Sequence, residues 1–231
     1  MKRIRNVALV GAGAAMAIAL TSPSASAATT TVHADDAAGA AYAGNVRATL
    51  IAPVTTTTSL GSASCDTGTI DATVGSDGTN LNVSVYAFHN GTATTCPNSA
   101  GGTSTTTPVG LPWNGGSIAY APVPGGRDGT FTVNSLKVTS VTTGWFGSIN
   151  CTYRGSGAGN SVTMDFYNSD NTSRPDTSVP EAQARANGIT LTKDSGSFLC
   201  PGTATYSAAF KILGETTAGS GTYDQTLHLT S

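Results

Sequence analysis

Three histidines, thirteen acidic residues and four cysteines are the side chains of this 231-residue chain that could move a proton, hold a metal or form a covalent bond. Histidine is the side chain whose ordinary pKa suits acid–base work near neutral pH. His33 lies in an alanine-rich stretch, His89 stands beside the turn signal His89-Asn90-Gly91, and His228 comes near the end of the last alternating run. So placed, all three are expected to be exposed and without a catalytic role. A serine–histidine–acid triad is recognised by geometry rather than by order in the chain, but the G-x-S-x-G elbow that often signals one does not occur. Among the acids, Asp66, Asp77, Asp128, Asp170 and Asp194 fall in turn-like contexts, where aspartate is favoured because its carboxylate bonds nearby backbone N–H groups. The densest run of oxygen ligands, Asp165 to Glu181 (DFYNSDNTSRPDTSVPE), does not follow the D-x-[DN]-x-[DN]-G order of a calcium loop. No catalytic residue, metal ligand or cofactor is therefore assigned. A hydrolase acting through a carboxylate pair such as Asp128 and Asp165 stands as the enzymatic alternative.

The cysteines are read through the N-terminus. Lys2, Arg3 and Arg5 precede an apolar run from Val7 to Leu20, and Ala25-Ser26-Ala27 supplies a small-x-small cleavage pattern. The run is too short for a bilayer span, which needs about 20 residues. Residues 1–27 are thus expected to be a cleaved signal peptide, and the mature protein to be secreted with no transmembrane segment. In that compartment Cys65, Cys96, Cys151 and Cys200 are expected to form two disulfides. The paired C-x₂₋₄-C spacing of a zinc site is missing. Four cysteines allow three pairings. Cys65–Cys96 with Cys151–Cys200 closes local sets of strands and is favoured; either crossed scheme would join the two halves of the chain.

Loss of residues 1–27 removes three of the 11 basic residues and none of the 13 acidic ones, leaving eight against thirteen and a net charge of −5. The remaining basic residues are scattered singly, which disfavours nucleic acid as a partner because phosphate binding needs clustered Lys and Arg. Only 10% of the chain is charged, against about 25% in typical globular proteins.

What would position any site is a series of β-strands. Period-two alternation recurs at Leu81–Ala87, Ile118–Tyr120, Phe131–Val133, Ser148–Tyr153, Val162–Phe166, Ile189–Leu191, Tyr206–Ile212 and Tyr223–Leu229. Leu136 and Val138 continue in the opposite phase to Phe131 and Val133, which predicts a bulge or bend near Asn134-Ser135. Only Pro180–Ala186 (PEAQARA) looks helical. Thr55–Thr58 and Gly101–Pro108 (GGTSTTTP) are expected to be low-complexity loops. Residues 28–44 are expected to be a flexible lead-in, followed by one domain over residues 45–231. The fold class is all-β, an antiparallel sandwich or barrel-like domain with two disulfides.

The aromatic residues offer the remaining handle. Trp113 in GLPWNGG, Trp145 in TTGWFGS and Tyr153 are the candidates for contact with a ligand, whereas a structural role would have each tryptophan close one end of a sandwich. The motif order Leu-Pro-Trp, Cys-Thr-Tyr, then Gly-Ser-x-x-Cys-Pro with a final aromatic strand, spanning about Cys65 to Leu213, resembles uncharacterised secreted proteins of actinobacterial type. More distantly it resembles the secreted "protein activator of alkane oxidation" group. The resemblance implies an extracellular β domain without assigned catalytic residues, for which contact with hydrocarbon or the cell envelope is a consideration. The leading expectation is a non-catalytic secreted protein; a binding module for an apolar small molecule or a glycan is the alternative.

Overall fold

The computed structural model describes residues 29–231, so the expected signal peptide lies outside the described residues. The described chain forms β1 (Thr31–Ala34), β2 (Gly44–Thr58), β3 (Gly61–Cys65), β4 (Thr67–Val74), β5 (Leu81–His89), β6 (Cys96–Pro97), β7 (Thr103–Pro108) and β8 (Trp113–Tyr120). It continues through β9 (Gly129–Val133), β10 (Lys137–Gly144), β11 (Gly147–Gly155), β12 (Val162–Tyr167), β13 (Ala182–Gly196), β14 (Thr203–Glu215), β15 (Tyr223–Gln225) and β16 (Leu227–Thr230). Every pairing is antiparallel. The protein is all-β and barrel-like, with disulfides Cys65–Cys96 and Cys151–Cys200, the locally closing pairing.

Two closed rings share three strands. In the first, the ladder runs β14-β2-β4-β5-β8-β9-β12-β13 and returns to β14. In the second, it runs β14-β2-β3, crosses from β3 to the end of β6, and continues β7-β10-β11-β13 to β14. The crossing consists of an isolated bridge, Ala63 to Asn98, and two hydrogen bonds, from Ser99 N to Ser62 O at 2.8 Å and from Ser62 N to Ser99 Oγ at 2.9 Å. The Cys65–Cys96 disulfide lies at this seam. β2, β13 and β14 are the longest strands because each spans both rings: β2 pairs with β4 near its start and with β3 near its end. Likewise β13 pairs with β12 through Gln183–Arg185 and with β11 from Leu191 onward.

The first ring has a packed interior that includes Leu81, Phe131, Met164, Phe166, Phe210 and Ile212. Here the helical reading of Pro180–Ala186 is overturned. Ala182, Ala184 and Ala186 point inward from β13, and Ala184 lies opposite Phe210 and Ala182 opposite Ile212. Small side chains facing large ones fill the interior, and that tertiary fit overrides alanine's preference for helix. β5 also departs from simple alternation. A register shift opposite Asp71/Ala72 turns Val85 and Ala87 outward and brings Tyr86 and Phe88 in. The expected break near Asn134-Ser135 is the turn between β9 and β10, with Ser135 at φ 58°.

Thr31–Ala34, within the stretch expected as lead-in, pair with β16, and Val32, Leu227 and Leu229 are buried there. His33 and His228 are cross-strand partners in this ribbon, and His228 is buried rather than exposed. His33 Nδ1 meets Gly39 O at 2.8 Å and its Nε2 meets Thr230 Oγ1 at 3.0 Å. These contacts give the ring structural work.

One carboxylate ties the ends of the chain together. Glu215 accepts hydrogen bonds from Asn45 Nδ2 at 2.8 Å, Gly219 N at 2.8 Å and Gly221 N at 2.7 Å. The Asn45 amide, then the Gly219 N–H, hold its carboxyl below the ordinary glutamate value despite an opposing effect of burial. A depressed folded-state pKa gives stability that is complete above the ordinary value and is lost as pH falls through the folded one. Glu215→Gln is therefore expected to lower stability at neutral pH and to weaken its acid dependence, which urea unfolding at several pH values would measure.

Candidate functional site

The second ring is hollow. A cavity of about 90 Å³ lies within it, against about 20 Å³ left inside the first ring. One buried water needs on the order of 10–15 Å³ by the same measure, so the larger space admits a molecule of several heavy atoms.

Its wall is built by alternation. Val54, Thr56 and Thr58 face inward from β2, Ser104 and Thr106 from β7, Val138, Ser140 and Thr142 from β10, and Ile149, Cys151 and Tyr153 from β11. Leu191 and Ala204 complete the side formed by β13 and β14. The two expected loops, Thr55–Thr58 and Gly101–Pro108, are thus largely strand, and Thr56, Thr58, Ser104 and Thr106 from them line the space. Threonine's branched side chain suits the pleated surface. The inward face mixes these hydroxyl residues with the apolar Val54, Val138 and Ile149.

The polarity is graded. Toward the hairpin tips, Ser104 Oγ lies 3.1 Å from Thr142 Oγ1, and Ser140 Oγ lies 3.4 Å from the same atom. Asn98 bonds across this end, donating to Thr143 O at 2.8 Å and accepting from the Ala100 and Gly102 N–H groups at 3.0 Å each. At the other end stand Val54, Phe88, Val138, Leu191, Tyr153 and Tyr206. Tyr86, Leu191 and Tyr206 border both cavities and form the partition between the rings. Tyr153 is 4% exposed and its hydroxyl has no hydrogen-bond partner, while the Tyr206 hydroxyl faces that of Tyr86. Burial pushes both phenols above the ordinary tyrosine value, so both remain protonated through neutral pH. No residue lining the cavity is acidic or basic.

Both disulfides brace this ring. Cys65, Cys96 and Cys151 line the cavity, and Cys200 holds Cys151 across the β11–β13 edge. Gly196, at φ +119°, makes that closure feasible: a Cβ there would run into Asn150 O and stand 3.1 Å from Cys200 Sγ. Gly196→Ala is expected to cost about 2 kcal/mol through backbone strain, which thermal or urea unfolding would show.

The three aromatic candidates separate. Tyr153 lines the cavity. Trp113 is 1% exposed in the first ring, donates from Nε1 to Val109 O at 2.9 Å, and packs 5.2 Å from Tyr86. Trp145 does not close an end of the fold. It is 83% exposed on the β10–β11 tip, beside the cavity-lining Ala100, to whose carbonyl its N–H donates. Phe198 is exposed on the neighbouring β13–β14 loop. The site residues that the pattern of the sequence did not single out are Tyr206 and the hydroxyl row of β7 and β10. Tyr206 was visible as the inward member of a strand, but its place on the partition between the two cavities, facing the Tyr86 hydroxyl, is a property of three dimensions.

The acids considered for hydrolysis are engaged with other partners. Asp165 pairs with Arg127 at 3.2 Å and Arg185 at 3.8 Å, while Asp128 Oδ2 accepts from Asn168 N at 2.7 Å and Asn171 Nδ2 at 2.8 Å. Neither lines the cavity. In the oxygen-rich stretch, the Arg174 guanidinium donates to the carbonyls of Asn171, Thr177 and Val179 at 3.0, 2.9 and 3.1 Å. These carbonyls gather around an organic cation of the chain itself. Compared with known proteins, the chain matches no family model, no curated protein and no solved structure.

Proposed function

We propose that this protein is exported, is non-catalytic, and holds a small, largely apolar molecule inside its second ring. The observation that carries the reading is the 90 Å³ cavity, with apolar side chains around its inner end and half-exposed Leu60 and Ala100 toward the hairpin tips. Ligand sites are concave and mostly apolar, with a few placed polar groups. The disulfides suit an oxidising compartment, and the motif resemblance to secreted actinobacterial proteins points to the same place. Ala204 is small, buried and part of the cavity wall, so Ala204→Phe should fill the space. Calorimetric titration with naphthalene and α-tetralone is expected to show saturable binding of at least one of them to the parent protein. The same titration of the filled variant, checked for unchanged circular dichroism, should show none. Equal binding by both proteins, or no binding by either, would overturn the reading.

A further inference from the structure

We infer that the ligand is neutral and carries a hydrogen-bond acceptor, a carbonyl or ether oxygen on a compact hydrocarbon frame, which takes the hydroxyl of Tyr153. This inference rests on the binding reading above and specifies the chemistry of the same site.

Two features of the cavity carry it. The first is the lack of any Asp, Glu, Lys, Arg or His among its lining residues. A carboxylate or ammonium entering there would lose its hydration and find no opposite charge, a cost that normally excludes ions from such places. Long-chain acids and amines are therefore disfavoured as occupants, however well their apolar parts fit. The second is the imbalance of hydrogen-bonding groups. The Ser104, Ser140 and Thr142 hydroxyls already bond one another, and the Asn98 amide is engaged with Ser104 and the backbone. The Tyr206 hydroxyl faces that of Tyr86, whereas the Tyr153 hydroxyl is buried without a partner. Buried polar groups in folded proteins are almost always bonded, so Tyr153 supplies the group a ligand would complete. Protonated phenols are effective donors, and a carbonyl or ether oxygen supplies the matching acceptor.

Three compounds of similar size separate the possibilities: tetralin (hydrocarbon), α-tetralone (the neutral ketone on the same frame) and naphthoate (an anion). Calorimetry on the parent protein is expected to give α-tetralone at least about tenfold tighter than tetralin, the scale of one buried hydrogen bond gained in place of an unsatisfied group. Naphthoate should not bind measurably. In Tyr153→Phe the ketone should lose its advantage while tetralin binds as well as before or better. These side chains differ only by the hydroxyl, so tetralin binding also reports that the cavity persists. Tetralin matching the ketone in the parent protein, naphthoate binding best, or Tyr153→Phe keeping the ketone preference would each overturn the ligand class while leaving the binding reading intact. Failure of all three compounds to bind the folded parent would overturn the binding reading itself.

Discussion

With Cys151 and Cys200 both replaced by alanine, the free energy of unfolding is expected to fall by about 4 kcal/mol. The bridge spans 49 residues, and in the chain-entropy account its loss returns that loop's freedom to the unfolded chain. Against a typical net stability of about 5–15 kcal/mol, this is a large part of the total. The location of the loss matters as much as its size. The first ring has a packed interior to hold it, whereas the second encloses the cavity and is closed at one seam by one isolated bridge, two serine hydrogen bonds and the Cys65–Cys96 disulfide. Amide exchange in the double variant should accelerate in β7, β10 and β11, while β4, β9 and β12 keep their relative protection. A loss below about 1 kcal/mol, or acceleration spread evenly over both rings, would show that the sulfur bridge does not serve the hollow half.

The difference between the rings explains how much of the molecule was legible in the sequence. Alternation of apolar and polar residues marks a strand when one face is buried against a core. Val162, Met164 and Phe166, or Ala208, Phe210 and Ile212, carry that mark and line the packed ring. In the second ring the inward positions of β7 are Ser104 and Thr106, and the outward neighbours are threonines too. Both faces of β7 are polar, and the periodicity disappears. A hollow interior thus erases the signal by which sequence reports an interior, and the candidate site was hidden in the stretches that looked like featureless loops.

Cysteine and tyrosine left partial clues. Ile149, Cys151 and Tyr153 alternate as an inward face, and all three are buried as that pattern implies. Their burial is common to a core and a cavity wall, so the pattern placed Tyr153 without saying which of the two it faces. Trp113 and Trp145 show the opposite difficulty. Each sits among glycines in a turn-like context, yet one is inside the first ring and the other on a hairpin tip, because neighbouring residues do not decide which loops fold inward.

Phe210→Ala is expected to cost about 4 kcal/mol, within the range for removing a buried aromatic ring. Phe210 is 0% exposed on β14, one of the three shared strands, and its ring lies 6.2 Å from Phe88, a wall residue of the second ring's cavity. Truncation therefore opens a void at the junction, not at the far end of either ring. The small partner across the ladder, Ala184, cannot fill it. Phe210→Leu keeps most of the volume and should cost less than half as much. Because β2, β13 and β14 serve both rings, the alanine variant should still unfold in one transition, with Trp113 fluorescence and far-ultraviolet circular dichroism following the same urea curve. Its amide exchange should accelerate in both rings together, unlike the cysteine variant, whose effect is confined to one. Separate transitions by the two probes, or protection lost in the first ring alone, would mean that the shared strands do not couple the rings. The hollow ring could then loosen while the packed ring stayed folded.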